Sequence, residues 1–336
     1  MSTAFSTALK MSLPVQKMSK PCYIGIDTSN YTTSVAVADE RGEIVANLKA
    51  PLPVKAGERG LRQSDAVFAH TKNLPALLER LRDTVRGYSP VAVCYSAQPR
   101  DAENSYMPCF LSGAVAAHAI GAALDIPVFT CSHQQGHLMA AMYSSGAATA
   151  LADRPFGAFH VSGGTTDMLL VTPNGKELTV KNVGGSVDLH AGQAVDRIGV
   201  RLGLSFPCGP QLEELAAQND KSIPRPRISV SGGDCHLSGL ENLADKLYRD
   251  TGDASLTAAF VLQFIAETLA ALARHLRADD PTLPLLFSGG VMSNRIIAAK
   301  LTKALGQEVY FAEPAFSADN AAGVALICRN QAINCE

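Results

Sequence analysis

The sequence predicts an α/β protein of two lobes, each built on its own mixed sheet, and three features carry that expectation. Short apolar runs rich in β-branched residues alternate with longer segments of helical periodicity, the order expected of sheets covered by helices. One local grammar occurs twice, at Ile24–Val37 and again at Phe159–Val171: an apolar strand, a turn of small hydroxyl residues carrying an Asp, then a second apolar strand. A chain of 336 residues is also long enough for two hydrophobic cores. Two unrelated hairpins are the alternative reading of the repeated pattern.

Residues 1–20 contain basic residues but no apolar run of the length a secretory signal needs, and read as a frayed extension. From Pro21 the alternation predicts two strands joined by a Thr/Ser/Asn turn, then a third after the Asp39–Gly42 turn. Between Ser64 and Val85, Val67, Leu74, Leu77, Leu78 and Leu81 fall at helical spacing, with Ser64 as the N-cap. VAVCYSA (91–97) is a buried strand, Gly113–Leu124 an Ala-rich helix, and IPVFTCSH a strand running into a helix that begins near His133. The second cycle brings strand, turn and strand over 156–173, a helix around 190–203, a Pro/Gly turn at SFPCGP and a helix from 210. A long apolar helix follows over Leu256–Arg277, then a strand, turn and helix start in LPLLFSGGVMSN, and a small-residue helix over Ser317–Arg329. The lobes expected from this order are 21–132 together with 315–336, and 133–314.

Composition narrows the partners. Charged residues make up 18% of the chain and the formal net charge is −2, so no global field recruits nucleic acid or an anionic membrane. Lys221, Arg225 and Arg227 form the one tight basic cluster, which an ordinary solvated loop also explains. Eight scattered cysteines without a C-x-x-C pair read as reduced thiols of a cytoplasmic protein. No stretch approaches the roughly 18 uninterrupted apolar residues of a membrane span, so no membrane partner is expected.

Five motifs can carry chemistry. The strand ending in Asp27-Thr28-Ser29 suits a hydrated cation and phosphate, or is a plain hairpin turn. Ser162-Gly163-Gly164-Thr165-Thr166 lets backbone approach a ligand closely, or is a tight hairpin. A third glycine loop, Ser288–Asn294, lies between a buried strand and a helix start, where orphan N–H groups face a phosphate or nucleoside. Ser231-Gly232-Gly233 reads only as a turn. His133 and His137, at i and i+4, project from one helix face as joint metal ligands do. No Glu follows His133, so the zinc-protease pattern is absent. A third ligand is needed, with Asp319 the candidate; the turn between Cys131 and His133 argues against that thiol. Lastly, Asp188, Gly192 and Asp196 fall at i, i+4 and i+8 of a helical face, with Gly192 leaving room for a ligand and Asp196 accepting from ribose hydroxyls. Alternatively Asp188 is an N-cap and Asp196 pairs with Arg197 or solvent.

Taken in order, GIDTSNYTTSVAV, FAHTKNLPALLERL with His70, SHQQGH, FHVSGGTTD, AGQAVDRIGVRLGLSFPCGPQLEEL, HLSGLEN, FSGGVMSN and SADNAAG resemble the tRNA threonylcarbamoyladenosine transferase family, long labelled O-sialoglycoprotein endopeptidase or glycoprotease. The resemblance runs from about Cys22 to Cys328. It implies the two-lobed actin-like ATPase fold and one iron or zinc ion per chain on His133, His137 and Asp319. It also implies catalytic roles for Asp27 and Ser29. An adenine nucleotide (threonylcarbamoyl-adenylate, ATP or AMP, with Mg as a further ion) would lie over His160, Val161, Ser162, Gly163, Gly164, Asp196, Gly209 and Asn294. The implied reaction is metal-dependent transfer of threonylcarbamoyl from its adenylate to N6 of the tRNA adenosine next to the anticodon. The tRNA would be bound largely through partner proteins, in a hetero-complex with other proteins of that pathway.

The sequence departs from the family pattern in three places. Asn30-Tyr31-Thr32 stands where two adjacent acids are usual, QPRDAENSYMPCFLSG replaces a Gly-Pro-Gly-rich loop, and Leu189, Gln193 and Arg197 replace an Asp, a Glu and a Lys. Arg100, Asp101 and Glu103 in the replaced loop read either as a changed acceptor pocket or as an exposed charged loop. Two alternatives to the usual reaction follow: transfer to another acceptor, or a nucleotide-binding subunit that regulates or assembles with an active relative. A small-molecule kinase of the same fold would leave the histidine pair unexplained.

Overall fold

The computed structural model describes residues 19–53, 61–174 and 177–333. The predicted extension therefore lies almost wholly outside the described residues, as does Cys335. The other seven cysteines are free and buried.

The chain opens with an antiparallel meander, β1 (Lys20–Ser29), β2 (Thr32–Asp39) and β3 (Ile44–Pro51). The second turn is closed by the Asp39 carboxylate, which accepts from the backbone N–H groups of Arg41 and Glu43 at 2.9 Å each. Helix α1 (Gln63–Thr84), strand β4 (Tyr88–Gln98), helix α2 (Phe110–Leu124) and strand β5 (Val128–Ser132) follow, and the sheet order is β3-β2-β1-β4-β5. Both crossovers return parallel strands, as helix-linked strands must. Alternation along β1 sets its two faces. Cys22, Ile24 and Ile26 point to one core with Leu74, Leu77 and Leu81 of α1, while Tyr23 points to the opposite face. Ser64 does not cap α1. The helix starts two residues earlier, at Gln63, and the capping position is Arg62 in extended conformation with no side-chain bond.

Next come α3 (His133–Ser144), α4 (Ala148–Leu151), β6 (Phe156–Val161), β7 (Thr166–Pro173), β8 (Leu178–Ser186), α5 (Ala191–Arg201), α6 (Gly209–Ala217), β9 (Ser229–Ser231) and β10 (Asp234–His236). The remainder is α7 (Gly239–Thr251), α8 (Ala254–Leu276), β11 (Leu285–Ser288), a 3₁₀ turn (Gly290–Ser293), α9 (Arg295–Leu305), β12 (Val309–Phe311), α10 (Pro314–Ser317) and α11 (Ala322–Ile333). The second sheet runs β12-β11-β6-β7-β8-β10-β9. Its core is threaded by stacked rings on three neighbouring strands: Phe159 over Phe287 at 4.8 Å, and Phe287 over Phe311 at 5.3 Å. Helix α8 is long and apolar enough by composition to cross a membrane, yet 83% of its most apolar window is buried inside the protein. Its Phe260, Phe264, Leu269 and Leu272 belong to the core of the second sheet.

Helices α3 and α11 join the halves. Leu138, Ala141 and Met142 of α3 pack with Phe156 and Ala158 of the second sheet, whereas Val324 and Ile327 of α11 pack with Tyr23 and Cys94 of the first. The helix expected over Ser317–Arg329 is broken: α10 ends at Ser317 and α11 begins at Ala322, leaving Asp319 in the turn between them.

Candidate active site

The metal-binding geometry starts with a cap. Ser132 Oγ accepts from the N–H of Gln135 at 3.2 Å, and Gln135 Oε1 accepts from the N–H of Ser132 at 2.9 Å. This reciprocal capping box makes His133 the first residue of α3, so His133 and His137 stand one turn apart on one face. Their Nε2 atoms approach to 2.9 Å, and Asp319 Oδ1 lies 3.3 Å from His137 Nε2 and 3.7 Å from His133 Nε2. One ligand atom from each of the three residues falls within 4.8 Å of the other two.

What brings Asp319 here is a close crossing of two helix backbones. A Cβ on Gly323 would lie 1.8 Å from the carbonyl oxygen of Gly136 and 2.8 Å from the amide nitrogen of Ala140. Gly136 sits between the two histidines and Gly323 four residues beyond the aspartate, so the missing side chain of Gly323 sets the depth of the site. The turn that aims Asp319 is held by Asn320, whose Nδ2 donates to the carbonyls of Phe316 and Ala318 and whose Oδ1 accepts from the N–H of Ala322.

Behind His133 lies Asp27, fully buried at the end of β1. Its Oδ1 accepts from His133 Nδ1 at 2.9 Å and from the hydroxyl of Ser96 on β4. Asp27 thus stands behind the imidazole rather than in the cleft, and the hydrated-cation role expected of it gives way to orienting a ligand. A carboxylate on Nδ1–H fixes the tautomer that leaves Nε2 free for a metal. Ser29 is also buried and its Oγ has no hydrogen-bond partner. His70, from the α1 motif, is buried beside it with Nδ1 2.8 Å from Thr33 Oγ1, and burial lowers its pKa.

The electrostatics suit a cation. Burial opposes charge on Asp27, but the attraction of and hydrogen bond from His133 prevail and hold the carboxyl below its ordinary range. Burial likewise opposes charge on Asp319, and the hydrogen bond from His137 with the charge of His133 keeps it ionised. For His133, burial is outweighed by Asp27, and the imidazole rises to about 9, so an ion binding at Nε2 would displace a proton there. His160 goes the other way, pushed down to about 3 by burial and then by the charges of His137 and His133, so it is neutral. Two imidazole nitrogens converging with an ionised carboxylate, one imidazole backed by a second carboxylate, make a donor set for a first-row divalent ion.

Two cavities meet at the glycine loop Ser162–Thr166. One, of about 290 Å³, is lined from both lobes by Tyr31, Arg100, His133, His137, His160, Ser162, Gly164, Thr165, Asp167 and Asp319. The other, of about 300 Å³, is lined by Gly163, Gly192, Asp196, Gly209, Val291, Ser293 and Asn294 among others. The residues expected to bind nucleotide therefore divide. Gly163, Asp196, Gly209 and Asn294 border the second cavity, Ser162 and Gly164 the first, and Val161 is a fully buried strand residue bordering neither. His160 belongs with the histidine pair: its ring centroid is 4.9 Å from that of His137 and its Nδ1 is 3.2 Å from Ser288 Oγ.

The expectations around α5 change in detail. Gly192 borders the second cavity, but its missing Cβ would lie 2.7 Å from the Gly163 amide nitrogen, and its own N–H donates to the Ser162 carbonyl at 3.1 Å. It packs against the glycine loop. Asp188 is neither on the helix face nor its N-cap. The helix starts at Ala191 after His190, and Asp188 accepts from the N–H groups of Leu189, Leu237 and Ser238, tying the end of β8 to the start of α7. Asp196 pairs with neither Arg197 nor solvent alone: Oδ1 accepts from the N–H of Cys208 at 2.8 Å, and Arg197 pairs with Glu241. Asn294 has a second task, capping α9 through the N–H of Ile297.

Sequence reasoning marked Tyr31 and Arg100 by their departure from the family pattern, and both border the first cavity; it missed Ser96 and the partner of Arg100, Asp167, whose Oδ2 is 3.0 Å from Arg100 Nη2 across the cleft. The replaced loop was the available signal for Arg100; Ser96 had none.

Solved structures similar to this chain define its class. A HypF from T. kodakarensis aligns with a TM-score of 0.59 at 12% identity, over 94% of this chain and 48% of that one. Full-length HypF in a phosphate- and nucleotide-bound form aligns at 0.57 and 14%, over 94% and 47%. A ROK-family glucokinase from Streptomyces griseus aligns at 0.51 and 14%, over 92% and 99%. The protein thus has the two-lobed actin-like ATPase fold, and it spans about half the length of the HypF proteins it matches. Within that class, residues 65–326 match the sequence pattern of the TsaD family, tRNA N6-adenosine threonylcarbamoyltransferase. The chain belongs to that family of transferases.

Proposed function

We propose that the protein transfers a threonylcarbamoyl group, or a closely related carbamoyl or acyl group, from an adenylate to N6 of the tRNA adenosine beside the anticodon. The observation that carries this reading is the convergence of His133, His137 and Asp319 on one side of the glycine loop, with a cavity of about 300 Å³ on the other. The adenosine part of the donor occupies that cavity, between Gly209, Asp196 and Asn294. Its acyl phosphate crosses the loop at Ser162–Gly164. His133, His137 and Asp319 would hold an iron or zinc ion, which would supply Lewis acidity toward acyl or phosphate oxygens. Asp27 holds the proton on His133 Nδ1 and so keeps Nε2 on the ligand side. His160, being neutral, adds no charge to compete with that centre. The amine of the acceptor attacks the carbamoyl carbon, the bond from that carbon to the phosphate oxygen breaks, AMP departs, and the amine gives up one proton to solvent. With a net charge of −2 the chain itself attracts tRNA weakly, so partner proteins of the same pathway supply most phosphate contacts, in the cytoplasm.

One observation favours a second reading. Tyr31, in place of an acid, borders the cavity of the metal ligands, which suits a nucleotide-binding subunit or a different acceptor. Metal analysis and an activity measurement decide. About one iron or zinc per chain is expected, lost in the double variant His133→Ala, His137→Ala, together with AMP release from threonylcarbamoyl-adenylate in the presence of unmodified tRNA. Unchanged metal content in the variant rejects the site. Absence of AMP release, with and without partner proteins, rejects the transferase reading in favour of the second.

A further inference from the structure

Arg100 has no part in the mechanism above, yet it borders the same cavity as His133, His137 and Asp319. It stands on the connection between β4 and α2 and reaches across to the second sheet, where Nη2 donates to Asp167 Oδ2 at 3.0 Å. Asp167 lies directly opposite His160 in the pairing of β7 with β6, and the His160 ring lies against His137. The ion pair is therefore one strand pair away from the metal ligands, on the cavity side of the glycine loop rather than the nucleotide side.

Its donors are mostly unspent. A guanidinium carries five N–H groups in a rigid fork. Among the described residues, Asp167 is the single hydrogen-bonding partner of this one. The Asp167 side chain is 15% exposed and that of Arg100 45%, so the carboxylate is the anchored member and the arginine the one open to the cavity. Of the acids bordering the cavity, Asp319 is held by the histidines and Asp167 by Arg100 itself. The remaining donors have no carboxylate of the protein to meet. A planar anion with two oxygens matches such a fork, whereas a neutral amide or alcohol does not.

We propose that Arg100 is a specificity-determining residue that reads a carboxylate on the transferred group, selecting N-carbamoylated amino acids over their neutral analogues. The proposal rests on the transferase reading for the placement of the carbamoyl end at the metal ligands and of the phosphate at the glycine loop. The carboxylate end then lies on the far side of the cavity, with Asp167 keeping the arginine extended between the lobes.

Calorimetric binding of N-carbamoyl-L-threonine and of its carboxamide to the purified protein tests this without turnover, so a failure of AMP release bears on the transferase reading alone. The wild-type protein should prefer the acid by about 10–100-fold, the range of a charged hydrogen bond. Arg100→Gln should abolish the preference by weakening the acid only, and Arg100→Lys should restore part of it. Metal content and AMP affinity should match wild type in both variants. The proposal is overturned if Arg100→Gln keeps the preference, or if the wild-type protein binds both compounds equally or neither. It is likewise overturned if the variant loses AMP affinity instead, which would assign the arginine to the phosphate.

Discussion

The crossing of α3 and α11 makes the metal site sensitive to a single methyl group far from any ligand atom. In Gly323→Ala the new Cβ would sit 1.8 Å from the Gly136 carbonyl oxygen, where ordinary contact begins at 3.4 Å. Its neighbours are backbone atoms of α3, which cannot rotate away as a side chain can. The helices must therefore separate by about 1.6 Å, or α11 must shift by that much along α3, whereas ligand distances in a metal site hold to about 0.2 Å. Asp319 hangs from the start of α11 and both histidines from α3, so the separation opens the ligand triangle directly. We expect metal affinity to fall at least tenfold, with a stability loss of about 1–3 kcal/mol from overpacking. Competition against a chromogenic chelator gives the first quantity and thermal melting the second. Gly239→Ala, whose Cβ would meet nothing within 4 Å, is the control. A folded Gly323→Ala protein that binds metal with wild-type affinity would refute the claim that the crossing sets the site.

Two further outcomes follow from named contacts. Asp27→Asn removes the charge that holds His133 Nδ1–H at 2.9 Å, and metal affinity should drop about 10–100-fold, the usual effect of losing such a partner; an unaltered chelator competition curve would reject the orienting role. Asp188 is drawn down to about 2: burial opposes its charge, but the hydrogen bonds from Ser238, Leu237 and Leu189 outweigh it. A folded-state pKa below the unfolded one stabilises the protein above roughly pH 4, and that contribution fades as pH falls through about 2. Asp188→Asn should therefore cost about 1–2 kcal/mol at pH 7, after allowance for solvent screening. Urea melts at pH 7 and pH 3 should show the gap narrowing; an equal gap at both would contradict the assignment.

Much of the scaffold was legible in local pattern. The strands around Asp27, the hairpin over 156–173 and the long helix through Phe264 all announce themselves by alternation or helical spacing, because burial of one face repeats at the period of the element. Helix ends were less legible. Arg62 rather than Ser64 precedes α1, and α11 starts beyond Asp319, since caps depend on neighbours that a local window does not contain. Around α5 the pattern misled: with the helix starting at Ala191, the spacing of Asp188, Gly192 and Asp196 is no helical face, and each is claimed by backbone of another segment.

For the site, sequence by itself determined which side chains were chemically able to take part: two imidazoles one turn apart, a late aspartate, and glycine loops with hydroxyl neighbours. It also determined the family, through ordered motifs. Tertiary structure alone decided which of them meet. Asp27 stands 106 positions from the histidine it orients, and Arg100 stands 67 positions from the aspartate that anchors it. Local periodicity is a property of one element and its nearest face. Contact between elements depends on how closely their backbones approach, and at Gly323 that approach turns on the absence of one methyl group.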